Sequence, residues 1–204
     1  RDKIECELRL GRAFREEGFP SVIVRPSHTY DTVLPLSVGG WTDFSIIERM
    51  RRGGKIVVHG DGTSLWTMTH AEDFAPGFAG LLGCAEAAGH AFHITSEEVL
   101  TWNRIYEITA EAAGTEPRIV HIPSDFIARV EPSLAGTLLG DKAHSALFDN
   151  AKIRSFVPGF QARIPFREGL RRTIAWFEAS DTRRRSDGST DRLLDRLLQA
   201  YGHE

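Results

Sequence analysis

Cysteine is scarce in this 204-residue sequence: Cys6 and Cys84 both fall in segments of helical pattern, which is not the framework of a small disulfide-stapled secreted domain. Reduced thiols, and with them the cytoplasm, are the expected setting. An excess of charge of either sign is also lacking. With 25 basic and 28 acidic residues the formal charge is −3, so neither a polyanion-binding body nor nucleic acid as a partner is expected. Long apolar runs are missing as well. The least charged stretch, 26–42, is broken by Asp31 and contains Pro35, Gly39 and Gly40, well short of the roughly 18 consecutive apolar residues of a membrane span. Nor is there a metal-ligand cluster. His90 and His93 stand three apart in strand-like sequence and so face opposite sides, with no Cys or carboxylate cluster beside them, and no metal is expected. What remains, 41 % hydrophobic and 26 % charged, is an ordinary globular composition.

The chain opens on RDKIECELRL, inside an amphipathic pattern, with no initiator Met, signal-peptide layout or capping residue, and such a start is expected of a fragment. Ile4, Leu8, Gly11 and Phe14 share one helical face as far as a stop at Gly18. SVIVRP then reads as a strand buried on both faces, as in a parallel sheet. A loop over 27–41 leads to a helical stretch with Phe44, Ile47 and Met50. A strand at 55–59 and the run 64–69, joined through Gly60-Asp61-Gly62, read as a hairpin. Helices are expected at 72–88, at 101–113 with Thr101 as N-cap, and at 166–179, and strands at 90–95 and 118–122. Residues 181–191 hold no apolar side chain and read as a solvated linker, where Arg183 to Arg185 are flanked by Asp181 and Asp187. Leu193, Leu194, Leu197 and Leu198 then form one face of a last helix, suited to docking on the body or on a partner.

The chemistry begins with Lys3 and Glu7, one helical turn apart, which alone would make an exposed ion pair. Their meaning changes with the ordered string that follows: VIVRPSHTYD, HGDGTSLWTMTHAEDFA, FHITSEEVLTW, GDKAHSALFDNAKI and EGLRRTIAWF. Together these resemble the C-terminal half of the extended short-chain dehydrogenase/reductases, the NAD-dependent epimerase/dehydratase group, over roughly residues 1–178. The resemblance implies an α/β fold: the C-terminal part of a Rossmann-like doubly wound parallel sheet plus a small mixed substrate-binding lobe. It divides the chain into 1–40 (last helix and strand of the nucleotide-binding domain), 41–180 (substrate lobe with returning Rossmann elements), the linker 181–190 and a terminal helix 191–204. Lys3 then resembles the lysine of the family's Tyr-x-x-x-Lys pair. Its ammonium would lower the phenol pKa of a tyrosine one turn earlier and hold the nicotinamide ribose hydroxyls. That tyrosine would precede Arg1, and no glycine-rich phosphate turn occurs in the chain. NAD or NADP is therefore expected of an intact parent, with this chain alone catalytically incomplete.

By the same resemblance Pro26 and Ser27 lie along the cofactor, and His28 stands where relatives often carry a substrate-binding Asn, with Tyr30 as its companion. Asp31 replaces a usual Gly. Trp66 and Leu138 occupy places where nucleotide-sugar enzymes carry diphosphate-gripping arginines, and neither side chain can neutralise a diphosphate. A less charged, carbonyl-bearing or aromatic small-molecule substrate is expected, with Trp66 as a wall, while Lys142 could restore one charge. His70 and Asp73 read as helix-start residues. The rival reading is a non-catalytic nucleotide-sensing or RNA-associated protein on the same fold, and assembly as a homo-oligomer stays open.

Overall fold

The computed structural model describes residues 2–184 and 186–202. Helix α1 (Asp2–Glu17) buries no residue of its own and ends at Gly18, whose amide donates to the Phe14 carbonyl at 3.2 Å. Strand β1 (Ile23–Pro26) and, one residue later, β2 (His28–Tyr30) lead through a long loop to α2 (Ser45–Arg51). Strand β3 (Lys55–His59), the short β4 (Leu65–Trp66) and β5 (Met68–His70) precede α3 (Ala71–Leu81). Next come β6 (Ala91–Ile94), β7 (Leu100–Thr101), α4 (Trp102–Ala112) and β8 (Arg118–Ile122). Short helices follow: α5 (Ser124–Val130), α6 (Ala135–Thr137), a π-helical turn at Leu138–Lys142, and α7 (Ala151–Phe156), before α8 (Phe166–Glu178) and α9 (Ser189–Tyr201) close the chain.

The ladders are three parallel pairs, β1 with β6, β2 with β5 and β3 with β8, and one antiparallel pair, β4 with β7. Parallel pairing with helical crossovers is the mixed α/β architecture the sequence implies. Phe44, Trp102, Tyr106, Phe166 and Phe177 anchor the main core, and a smaller cluster of Leu81, Phe92, Ile94, Ile153 and Phe160 lies beneath β1 and β6. Thr101 caps α4 as expected, its hydroxyl accepting from the Arg104 amide at 3.1 Å. Among the described residues, no helix is long and apolar enough to cross a membrane.

Several expectations need correction. There is no hairpin at 55–69. Gly60 and Gly62 both take positive φ (62° and 71°), and the Gly60 amide continues the parallel ladder by donating to Ile122 at 2.8 Å. Asn103 then pins the turn from α4: its side-chain amide donates to the Asp61 carbonyl at 3.0 Å and its backbone amide to Gly62 at 2.9 Å. A Cβ on Gly62 would lie 2.0 Å from Asn103 Oδ1, so the turn needs glycine there. The 27–41 segment is not all loop, because β2 lies within it. Strand β1 is half-exposed, not buried on both faces: Val24 packs on the smaller cluster, while Arg25 and Pro26 are exposed. The helix expected over 72–88 stops at Leu81, where Leu82 turns extended and Gly83 takes φ 78°.

The terminal helix docks on the chain's own body. Leu194, Leu197 and Leu198 are buried, and Arg49 from α2 reaches Asp191 at 2.9 Å and Asp195 at 2.6 Å. The run ahead of it is not simply solvated: Arg183 stacks over Trp176 at 4.3 Å and donates to its carbonyl, and Arg184 pairs with Asp181. Arg185, the third of that run, lies outside the described residues, as does Arg1.

Candidate functional site

Lys3 is exposed on α1 and, with Pro26, lines a groove of about 650 Å³ between that helix and β1, walled by Leu10, Val22 and Val24. The expected Lys3–Glu7 pair does not form. Glu7 is taken instead by Arg25, whose Nε donates to Oε1 at 2.9 Å and whose Nη2 meets Oε2. That guanidinium holds the Glu7 carboxyl below the usual carboxylate range. It also leaves Lys3 without an ion pair among the described residues. Ser27 turns its hydroxyl to Thr69, 2.8 Å away, and Thr69 in turn accepts from the Ser96 amide at 2.9 Å, so this position joins β2 to β5 and β6.

Beyond Ser27, three of the candidate substrate residues come together. His28 packs edge-on to Trp66 with ring centroids 6.3 Å apart, and the Lys142 ammonium sits 5.3 Å from the Trp66 ring centroid. Trp66 is buried and fixed by its indole N–H, which donates to the His144 carbonyl at 3.1 Å. Lys142 is buried too, and its Nζ lies 3.3 Å from Asp141 Oδ2, so its charge is matched locally. Its carbonyl accepts from His59 Nε2 at 3.0 Å and Ser64 Oγ at 2.8 Å, which ties the π-helical turn to the end of β3. Because that carbonyl can only accept, His59 carries its proton on Nε2, and Nδ1 accepts from Ser37 Oγ at 2.9 Å. Burial holds the His59 pKa below the ordinary value.

Two residues the sequence reading missed complete the cluster. Trp41 packs at a tilt over His28 with centroids 5.0 Å apart and planes 31° apart, and Trp102 meets it edge-on at 6.4 Å and 61°. Trp41 follows Gly39 and Gly40, both at positive φ, and is itself at φ 55°, the one non-glycine residue there among those described. It is held by a reciprocal backbone bridge to Leu34, with N···O distances of 2.7 and 2.8 Å. A glycine pair before a tryptophan in a long loop is the sequence signal that could have flagged it.

Tyr30 lies apart from this cluster. Its ring packs T-shaped on His70 and Phe166, its phenol donates to the Phe166 carbonyl at 3.4 Å, and burial pushes its pKa up. Leu138 is fully buried in the main core. His70 caps α3, its Nδ1 accepting from the Glu72 amide at 3.2 Å. Asp73 does more than start a helix: both its oxygens accept from the backbone amides of Arg163 and Ile164, at 2.9 and 2.8 Å, and so hold the approach to α8.

No protein-family model matches the chain. Among curated proteins it is similar to the 3beta-hydroxysteroid-dehydrogenase/decarboxylase isoform 1 of Arabidopsis thaliana, 24 % identical over 200 residues that cover 86 % of this chain and 44 % of the relative. Among solved structures it matches a UDP-glucose 4-epimerase from Thermotoga maritima, described with UDP-glucose, at 22 % identity and TM-score 0.65, covering 87 % of this chain and 52 % of that one. A dTDP-glucose 4,6-dehydratase from Streptomyces venezuelae with NAD bound matches at 21 % identity and TM-score 0.62, covering 86 % and 49 %. The fold is therefore the Rossmann-like α/β fold of the NAD-dependent epimerase/dehydratase proteins, the group that the ordered motifs resemble. The chain spans about half of the solved chains and less than half of the curated relative.

Proposed function

We propose that this chain is the C-terminal, substrate-binding portion of a cytoplasmic NAD(P)-dependent epimerase, dehydratase or reductase acting at a carbonyl or alcohol carbon of a small molecule. The supporting observation is the gathering of His28, Trp66 and Lys142 just beyond the C-terminal end of β1, the strand whose groove with α1 carries Lys3. Ligands of open parallel α/β folds bind at such strand ends. A bound nicotinamide supplies the hydride donor or acceptor, and the chain's residues fit its ribose end and not its phosphates. Lys3, an ammonium in an open groove, would hold the ribose hydroxyls and depress the pKa of a phenol placed one helical turn before it. Pro26 would wall the ring, and Ser27 holds the start of β2 in place for His28. Residues 1–40 belong on this reading to the nucleotide-binding domain and 41–180 to the substrate lobe.

The substrate is read from the charges. Trp66 and Leu138 offer no guanidinium, and the Lys142 ammonium is already matched by Asp141. A diphosphate would find no free cation in this cluster, which favours an uncharged carbonyl or hydroxyl compound over a nucleotide sugar. Calorimetric titration of the full-length protein with NAD(H) and NADP(H) tests the reading. One of them should bind, and Lys3→Ala should weaken it about tenfold, or about 1.4 kcal/mol. Absence of heat with either cofactor would overturn the reading in favour of a non-catalytic binding protein on the same fold.

A further inference from the structure

The geometry points to a gated subsite at His28 for a flat, uncharged ligand group that carries one hydrogen-bonding oxygen, with Trp41 as its lid. This deepens the substrate-lobe reading and rests on it. His28 is 8 % exposed, yet neither Nδ1 nor Nε2 has a hydrogen-bond partner, and the Trp102 indole N–H, buried beside it, has none either. Buried polar atoms are almost always satisfied, so adjacent orphans on His28 and Trp102 mark groups kept for a ligand. Burial keeps this imidazole neutral, with its pKa pushed down to about 4, so it presents one N–H and one lone pair and no charge. Around it Trp41, Trp66 and Trp102 supply flat apolar walls, with Trp66 and Trp102 centroids 5.7 Å apart. That combination suits a planar group ending in a carbonyl or hydroxyl, and it disfavours an anion.

Trp41 is the outer wall of the cluster, exposed where Trp66 and Trp102 are buried. It is 48 % exposed while the His28 ring it covers is buried. Its left-handed backbone is a strained conformation for so bulky a residue, held by the Leu34 bridge. Just before it, Gly39 and Gly40 take positive φ, and a Cβ on Gly40 would lie 3.0 Å from the Leu34 carbonyl oxygen. Upstream the loop is anchored: the Val38 amide donates to the Tyr106 phenol at 3.0 Å, and Ser37 bonds to Tyr106 and His59. Displacement of the indole from His28 therefore opens the subsite without unfolding the loop.

The test uses the full-length protein and three probes that share one fused-ring system, naphthalene, 2-acetylnaphthalene and 2-naphthoate, with binding read by tryptophan fluorescence and stopped-flow mixing. The ketone should bind at least tenfold tighter than the hydrocarbon, with the carboxylate weakest. His28→Phe should abolish the ketone preference and keep naphthalene affinity, and His28→Gln should restore part of it. Trp41→Ala should raise the association rate at least fivefold, and it serves as the second variant if His28→Phe fails to fold. Equal binding of ketone and hydrocarbon to the wild-type chain, tightest binding of the carboxylate, or no binding by either wild type or Trp41→Ala would overturn the proposal. None of these readouts involves a nicotinamide, so failure of the cofactor titration and failure of this subsite are separately visible.

Discussion

His28 shows how burial, with a neighbouring ammonium in support, can fix a protonation state at a site. Its folded pKa of about 4 lies below the ordinary value of 6.5, through desolvation first and the Lys142 charge second. Between those values the unfolded chain takes up a proton that the folded chain refuses, so stability is intact above pH 6.5 and is lost as pH falls toward 4. From about pH 7 to about pH 5 the loss from this one group is about 2 kcal/mol. Urea unfolding at both pH values should show that loss in the wild type and lack it in His28→Gln. Asp73 carries a structural load, with both carboxylate oxygens accepting from backbone amides ahead of α8. Substitution by Asn keeps the shape but replaces one accepting carboxylate oxygen with an NH2 group facing the amides of Arg163 and Ile164, at a cost of about 1.5–3 kcal/mol in thermal or urea unfolding. At this scale the ordered motifs picked out His28, Trp66 and Lys142, which lie together in the structure, and Tyr30, which lies apart from them. For Trp41 the glycine pair before it is the one local signal, while its position over His28 depends on a left-handed backbone and a bridge to Leu34 that no side-chain pattern encodes.

Helix α9 and the turn at Gly60-Asp61-Gly62 mark the limits of element-level reading. The leucine stripe announced a docked helix, and its buried side chains sit on α2, α5 and β3 of the same chain. Leu197→Ala should cost about 2–5 kcal/mol, measured by chemical unfolding, as a cavity does in any packed core. Arg49 is only 11 % exposed at its side chain and bridges two aspartates of α9, so Arg49→Met should cost about 1–3 kcal/mol. By contrast Arg129→Ala, which removes an exposed α5 pair with Asp125, should change stability by less than about 0.5 kcal/mol. The failed hairpin has a physical cause. Local sequence shows a tight glycine turn between two strand-like runs, but which strand each run joins is decided by partners far along the chain, Ile122 for β3 and Leu100 for β4. Helices, whose hydrogen bonds are local, fared better, with Thr101 capping α4 as its spacing implies, although the helix expected over 72–88 ends at Leu81.

For the whole molecule, three parallel pairs and the likeness to epimerases and dehydratases describe a fold on which the aromatic cluster and the Lys3 groove lie at consecutive strands, β1 ending at Pro26 and β2 beginning at His28. The α/β order and the motif string made that fold legible in advance. The half-exposed face of β1 was not, since burial of a strand is a property of what packs on it and not of its own residues. The proposed nicotinamide-dependent enzyme with an uncharged substrate is tested most directly by turnover of the full-length protein. Oxidation of NADH or NADPH, followed by the near-ultraviolet absorbance of the reduced nicotinamide, should proceed with planar cyclic ketones and fall at least tenfold in His28→Phe, whereas UDP-glucose and dTDP-glucose incubated with NAD or NADP should be recovered unchanged by chromatography. Turnover confined to the nucleotide sugars, or ketone reduction indifferent to His28, would contradict it.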